Sequence, residues 1–198
     1  MDQLALCGGS PVRTKPFTAW PIFSKDDEQA LIDVLHSERW FMGDRKEAFE
    51  KAFAQYQEAE FGVAVSSGTT ALQIALEAGG VGLGDEVIVP SYTFVATASA
   101  VALVGAVPLF VDIQPSTYNI DPDAVEAAIT PRTKAVILNS PSNPTGVIYS
   151  KDELRALADV ILKHPILVIS DEIYEKFFET ARCIRINWSR LKANAWLE

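Results

Sequence analysis

From residue 60 onward, short apolar runs of strand length alternate with amphipathic stretches of helix length, and nothing constrains the fold of this chain more. Candidate strands lie at 62–66, 86–89, 107–111, 134–138 and 166–170, with candidate helices at 70–78, 93–104, 122–129 and 151–163. Strands that read as nearly unbroken apolar runs are buried on both faces. Their alternation with helices predicts an α/β fold with a largely parallel or mixed sheet between two helical layers. Turn signals agree, with Gly82-Leu83-Gly84-Asp85 before one run and Thr130-Pro131-Arg132 before another.

The first 59 residues follow a different rhythm. Pro11, Pro16 and Pro21 keep residues 1–23 out of helix and central strand, which predicts an irregular arm. Ser24 reads as the N-cap of a helix running to about residue 37, with Asp26 and Asp27 in its first turn. A second helix, 45–57, carries Phe49, Phe53 and Tyr56 on one face, where they are expected to pack in a core or a dimer. The division expected is an arm with helices over 1–59, an α/β domain over 60–179, and an atypical tail over 180–198. That tail holds Arg182, Arg185, Arg190 and Lys192 and does not continue the rhythm.

Charge and thiols limit the partners. The net charge is −9 with no basic block, so nucleic acid and anionic membrane are poor partners. Cys7 and Cys183 stand far apart with no metal-ligand spacing around either, as free thiols in a reducing compartment do. The first nine residues lack a secretory pattern, and the longest apolar stretch, 95–111, is broken by Thr97, Ser99, Gly105 and Pro108. The expected setting is cytoplasmic.

Candidate chemistry gathers at the junctions between elements. Ser67-Gly68-Thr69-Thr70 stands where a strand meets a helix. It can bind a phosphate through open N–H groups, or it can be an ordinary capped helix after a glycine turn. Tyr92 or Phe94, at the next such junction, can lie on a planar heteroaromatic ring or fill the core. Asp171 closes the apolar run 166–170. A buried carboxylate there needs a partner, either a protonated pyridine nitrogen or a helix cap or salt bridge. Asn143, in Asn139-Ser140-Pro141-Ser142-Asn143-Pro144-Thr145-Gly146, and Tyr174, in Ser170-Asp171-Glu172-Ile173-Tyr174, can both hydrogen-bond a phenolate oxygen on the same ring. All would fall along one edge of one sheet, where open α/β sheets bind ligands.

These motifs resemble the pyridoxal-phosphate aminotransferases of fold type I, in two branches. Residues 8–137 resemble the DegT/DnrJ/EryC1/StrS sugar aminotransferases through Gly8-Gly9-Ser10-Pro11-Val12-Arg13, Trp40-Phe41-Met42-Gly43, Ser67-Gly68-Thr69-Thr70-Ala71-Leu72, Gly84-Asp85-Glu86-Val87-Ile88-Val89-Pro90, Thr93-Phe94-Val95-Ala96-Thr97 and Ile129-Thr130-Pro131-Arg132-Thr133-Lys134. Residues 138–178 instead resemble class I, aspartate-type aminotransferases through the Asn139–Gly146 turn and Ser170-Asp171-Glu172-Ile173-Tyr174-Glu175-Lys176. The resemblance implies the large domain of that fold, three layers α/β/α, incomplete and without its small C-terminal domain. It implies pyridoxal 5′-phosphate held by Gly68 and Thr69 at its phosphate, Phe94 on its ring, Asp171 at its ring nitrogen, and Asn143 and Tyr174 at its ring oxygen. Trp40 and Gly43 would lie near substrate in the sugar branch.

Both branches use a lysine to hold the cofactor and move a proton, and neither lysine motif occurs here. Lys176 is too near Asp171, and Lys192 lacks the family context. No catalytic residue is assigned, and the chain is expected to be a truncated or hybrid aminotransferase with little activity alone. The activity implied is amino transfer from an amino acid donor to a keto-sugar or, by the shorter match, to a 2-oxo acid. A non-catalytic hybrid fragment is the competing reading. An intact homologue would be a homodimer.

Overall fold

A computed structural model describes residues 3–177, which fall into two compact units dividing between Ala64 and Val65. In the first, residues 3–64, an irregular arm with one 3-10 turn at Ala5–Cys7 leads to helices α1 (Lys25–His36) and α2 (Asp44–Tyr56). Ser24 caps α1 in a capping box with Asp27: each residue's backbone N–H is taken by the other's side chain, at 2.7 and 3.3 Å. The cap and three early carboxylates, Asp26, Asp27 and Glu28, explain why the helix starts where it does.

Burial in this unit is sparse. No residue of α1 is buried, and Ala54 alone is buried on α2. Phe49 and Phe53 stack at 5.7 Å between ring centres, yet they, and Tyr56, remain largely exposed rather than packed in a core.

In the second unit, residues 65–177, α3 (Gly68–Ala78), β1 (Glu86–Pro90), α4 (Val95–Leu103), β2 (Val107–Val111), α5 (Pro122–Ala128), β3 (Thr133–Asn139), α6 (Lys151–Ile161) and β4 (Leu167–Asp171) follow one another. The strands form a parallel sheet in the order β2-β1-β3-β4. Neighbouring side chains on each strand point to opposite faces, as the two-residue period of a strand requires. Val87 and Val89 join Ala135, Ile137 and Ile169 in a core closed by Leu72 and Leu76 of α3 and Ala100 and Val101 of α4. Ile88, Val136 and Leu138 turn the other way, into a core closed by Val125 of α5 and Leu154, Leu157, Val160 and Ile161 of α6. The unit is therefore three layers, α/β/α. It is the architecture that the resemblance implies.

One expected strand is missing. Residues 62–66 belong to no ladder, because a strand exists only where a neighbour takes its backbone groups. The Ala64 N–H donates instead to the Glu50 side chain at 2.8 Å.

At the start of the sheet, Glu86 is 3% exposed and fully engaged. Arg132 donates to it from Nε at 2.8 Å and from a terminal nitrogen, and the Thr130 hydroxyl donates as well. Nothing in the spacing of these residues announced that contact.

Candidate functional site

Parallel strands end together, so the loops after β1, β3 and β4 leave the same edge of the sheet. The loop after β1 carries Tyr92 and Phe94. The turn after β3 carries Asn143, β4 itself ends on Asp171, and Tyr174 stands three residues further on. The start of α3 belongs at this edge too. That helix feeds the beginning of β1 through residues 79–85, so its own first turn lies toward the ends of the strands.

Hydrogen bonds join the turn after β3 to the end of β4. The Asn143 side-chain amide donates to the Tyr174 hydroxyl at 3.2 Å. The Ser140 N–H donates to the Asp171 carbonyl at 3.0 Å, and the Asn139 side-chain amide donates to the same oxygen at 3.0 Å. Asn139 also accepts the Asn143 N–H at 2.6 Å. The turn closes on itself through Gly146 N–H to Ser142 carbonyl at 2.8 Å, and Gly146 sits at φ +72°, a region that favours glycine. The structure thus brings Asn143, Asp171 and Tyr174 into one cluster.

Electrostatics mark Asp171. It is half-buried, its carboxylate accepts the Ile173 N–H at 3.3 Å, and no side-chain cation pairs with it among the described residues. Burial pushes its carboxyl above the ordinary carboxylate range, and the single backbone N–H offsets this only in part. A carboxylate held this way gains from any cation brought to it.

At the start of α3, the Ser67 hydroxyl accepts the Thr70 N–H at 3.2 Å and lies 3.0 Å from the Thr70 hydroxyl. The cap reading of this motif is therefore correct. It leaves the Gly68 and Thr69 N–H groups pointing out of the first turn, where an anion is favoured. A Cβ built on Gly68 meets nothing within 4 Å, so the approach is open.

Between the two aromatics the structure discriminates. Tyr92 lies against Tyr118, with ring centres 6.2 Å apart. Phe94, the residue before α4, keeps 55% of its surface exposed.

In the unit of residues 3–64, Trp40 is 72% exposed and its indole N–H donates to the Leu35 carbonyl at 3.1 Å. Gly43 precedes α2, and a Cβ there would come within 2.8 Å of the Arg39 carbonyl oxygen, so the position demands glycine. Trp40, Phe41, Gly43, Arg39 and Arg45 line an open groove of about 540 Å³. Lys176 follows the cluster in a 3-10 turn, and Lys192 lies outside the described residues. The residue that sequence reasoning passed over is Asn139. The signal was there: an amide ending the buried run Ala135–Leu138 must find partners.

Residues 21–172 match the DegT/DnrJ/EryC1/StrS aminotransferase family, and the match runs across the turn at 139–146. A relative from Micromonospora echinospora, an L-glutamine:2-deoxy-scyllo-inosose aminotransferase, is 44% identical over 178 residues, 86% of this chain and 41% of its own length. The crystal structure of NtdA from Bacillus subtilis with bound cofactor PMP superposes with a TM-score of 0.67 at 35% identity, over 77% of this chain and 35% of that one. A Thermus thermophilus aspartate aminotransferase variant superposes with a TM-score of 0.53 at 40% identity, over 58% of this chain and 32% of that one. The chain thus spans less than half the length of each. Among the described residues, no helix is long and apolar enough to cross a membrane.

Proposed function

The chain belongs to the DegT/DnrJ/EryC1/StrS aminotransferase family, and from that premise we propose that it serves amino-group transfer, with pyridoxal 5′-phosphate, from an amino acid such as glutamine to a cyclic ketone of the keto-sugar type. Pyridoxal phosphate is the cofactor of this family, and a solved neighbour holds its amine form. When bound, it supplies a protonated ring that draws electrons away from the reacting carbon.

The residues of the strand-end cluster fit that group. Asp171 lacks a cation among the described residues and holds a raised carboxyl, so a protonated ring nitrogen beside it would restore its ionised form. Asn143 and Tyr174, already hydrogen-bonded at 3.2 Å, would share the ring oxygen. Gly68 and Thr69 would take the phosphate on the open first turn of α3. Phe94, with no ring partner among the described residues, would cover the ring face. Trp40 and Gly43 would lie near the keto-sugar, the exposed indole being suited to a sugar face.

No residue of this chain is assigned to proton transfer at the reacting carbon, so the 198-residue chain alone is expected to bind without turning over substrate. The Asn139–Gly146 turn and the likeness to the Thermus enzyme favour a second reading of the acceptor, a 2-oxo acid. We place the protein in the cytoplasm, where the exposed Cys7 thiol stays reduced, and propose that the intact enzyme is a homodimer.

The observation that carries the reading is Asp171, without a side-chain cation among the described residues, on the strand tied to the turn that bears the Asn143–Tyr174 pair. Equilibrium dialysis of pyridoxamine phosphate against the chain tests it. Saturable binding, lost on adding free pyridoxal phosphate as competitor, is the expected result. Absence of binding, or binding unchanged in Asp171→Asn, would refute it.

A further inference from the structure

We infer that Asn139 is a positioning residue, whose side chain ties the main chain of Asn143 to that of Asp171 so that both are set as one piece. The inference rests on the cofactor reading above and extends it to a residue that touches no ligand. Asn139 ends β3 and is 4% exposed. Both halves of its amide are used: the oxygen takes the Asn143 N–H at 2.6 Å, and the nitrogen donates to the Asp171 carbonyl at 3.0 Å. One acceptor and one donor on a planar group of fixed size meet both needs together. Aspartate lacks the donor, leucine lacks both, and glutamine is a carbon longer.

The remaining contacts show why this matters. Among the described residues, the Ser140 N–H also tethers the turn to β4, reaching the same Asp171 carbonyl three residues before Asn143. The bonds of Ser142 with Val147 and Gly146 close the turn on itself without reaching β4. At Asn143 the tie to the neighbouring segment is its own side chain on Tyr174. Asn139 is thus the contact that fixes the Asn143 backbone to the strand bearing Asp171. Groups that must meet one ring from two segments depend on such support, because displacements of about 1 Å are costly.

The test uses pyridoxamine phosphate and the whole 198-residue chain, as wild type, Asn139→Leu, Asn143→Ala and the double variant. Two readouts are taken: affinity, and the absorbance band of the bound ring, which reports protonation of its nitrogen and oxygen. Asn139→Leu should weaken binding about tenfold, the loss of one or two neutral hydrogen bonds. It should also move the band toward that of the ligand in water. The double variant should lose little beyond Asn143→Ala, because the two act through one group. An unchanged affinity, a weaker affinity with an unmoved band, or losses that simply add would each overturn the inference. If wild type fails to bind, the cofactor reading itself falls and takes the inference with it. Should Asn139→Leu fail to fold, hydrogen exchange on the ligand-free wild type decides: the Asn143 amide should be protected to about the same degree as that of Ser140, and rapid exchange at Asn143 alone would overturn the clamp.

Discussion

The two ends of the sheet each hold a carboxylate, and they treat it in opposite ways. At the start of β1, Glu86 is met by the Thr130 hydroxyl and the Arg132 guanidinium, which hold its carboxyl below the usual range. At the end of β4, burial pushes the Asp171 carboxyl up, and one backbone N–H is its hydrogen-bond donor. The first arrangement is internally neutral and has no need of a ligand. It pins the β1 start to the turn before β3. The second leaves a carboxylate that no side-chain cation meets among the described residues, and perturbed groups in such positions are candidates for a binding site. The contrast sets a carboxylate neutralised by neighbouring side chains against one that no described side-chain cation meets.

The largest expected effect separates the ends directly. Asp171→Asn should weaken pyridoxamine phosphate binding by about 10–100-fold, the scale of a charge-assisted hydrogen bond. It should leave the ligand-free chain no less stable at neutral pH. Glu86→Gln should do the reverse, lowering the urea midpoint while leaving the affinity intact, as denaturation and dialysis on the same samples would show. A loss of affinity in Glu86→Gln, or of stability in Asp171→Asn, breaks the comparison.

Acid should then erase both differences, with opposite signs. The Glu86 carboxyl is depressed in the folded state, so its contribution is present above its ordinary value and lost as pH falls through the folded value. The Asp171 carboxyl is raised, so folding is favoured while it is protonated and that advantage is lost as pH rises through its folded value. Urea midpoints measured from about pH 7 downward should therefore show Glu86→Gln less stable than wild type and Asp171→Asn at least as stable, the two curves converging on wild type in acid.

The smallest effect compares two helix caps. Ser67→Ala and Ser150→Ala each remove an N-cap bond, at 3.2 and 3.3 Å, and should each cost about 1 kcal/mol of stability. Only Ser67→Ala should also weaken pyridoxamine phosphate, because it loosens the first turn of α3. Equal effects on affinity would mean that the α3 start is no more than a cap.

Much of this was readable in the sequence, for reasons that differ by element. The run Val87-Ile88-Val89 names a strand buried on both faces, and the structure sends its middle residue one way and its neighbours the other. Ser24 and Ser67 cap the helices that follow them because a cap is a local bond. What failed was whatever depends on a distant partner. Residues 62–66 have strand composition but no neighbour in the described sheet. Helices α1 and α6 both carry an apolar stripe, yet α6 buries Leu154, Leu157, Ala158, Val160 and Ile161 while α1 buries nothing. Periodicity reports which face is apolar and is silent on what covers it. Asn143, Asp171 and Tyr174 could be placed near one another from the sequence because they end or follow neighbouring strands. The need of Asn139 for partners was legible but its partner was not, and the Glu86–Arg132 pair was not legible at all, because those contacts span 32 and 46 residues. The expected tail, 180–198, lies outside the described residues.

The central claim is that Asp171 awaits a protonated ring nitrogen, and nitrogen NMR of ring-labelled pyridoxamine phosphate bound to the chain tests it most directly. The account predicts a protonated ring nitrogen at a pH where the free ligand has lost that proton, reverting in Asp171→Asn. A bound ring that titrates like the free ligand, or a spectrum indifferent to Asp171→Asn, would contradict it.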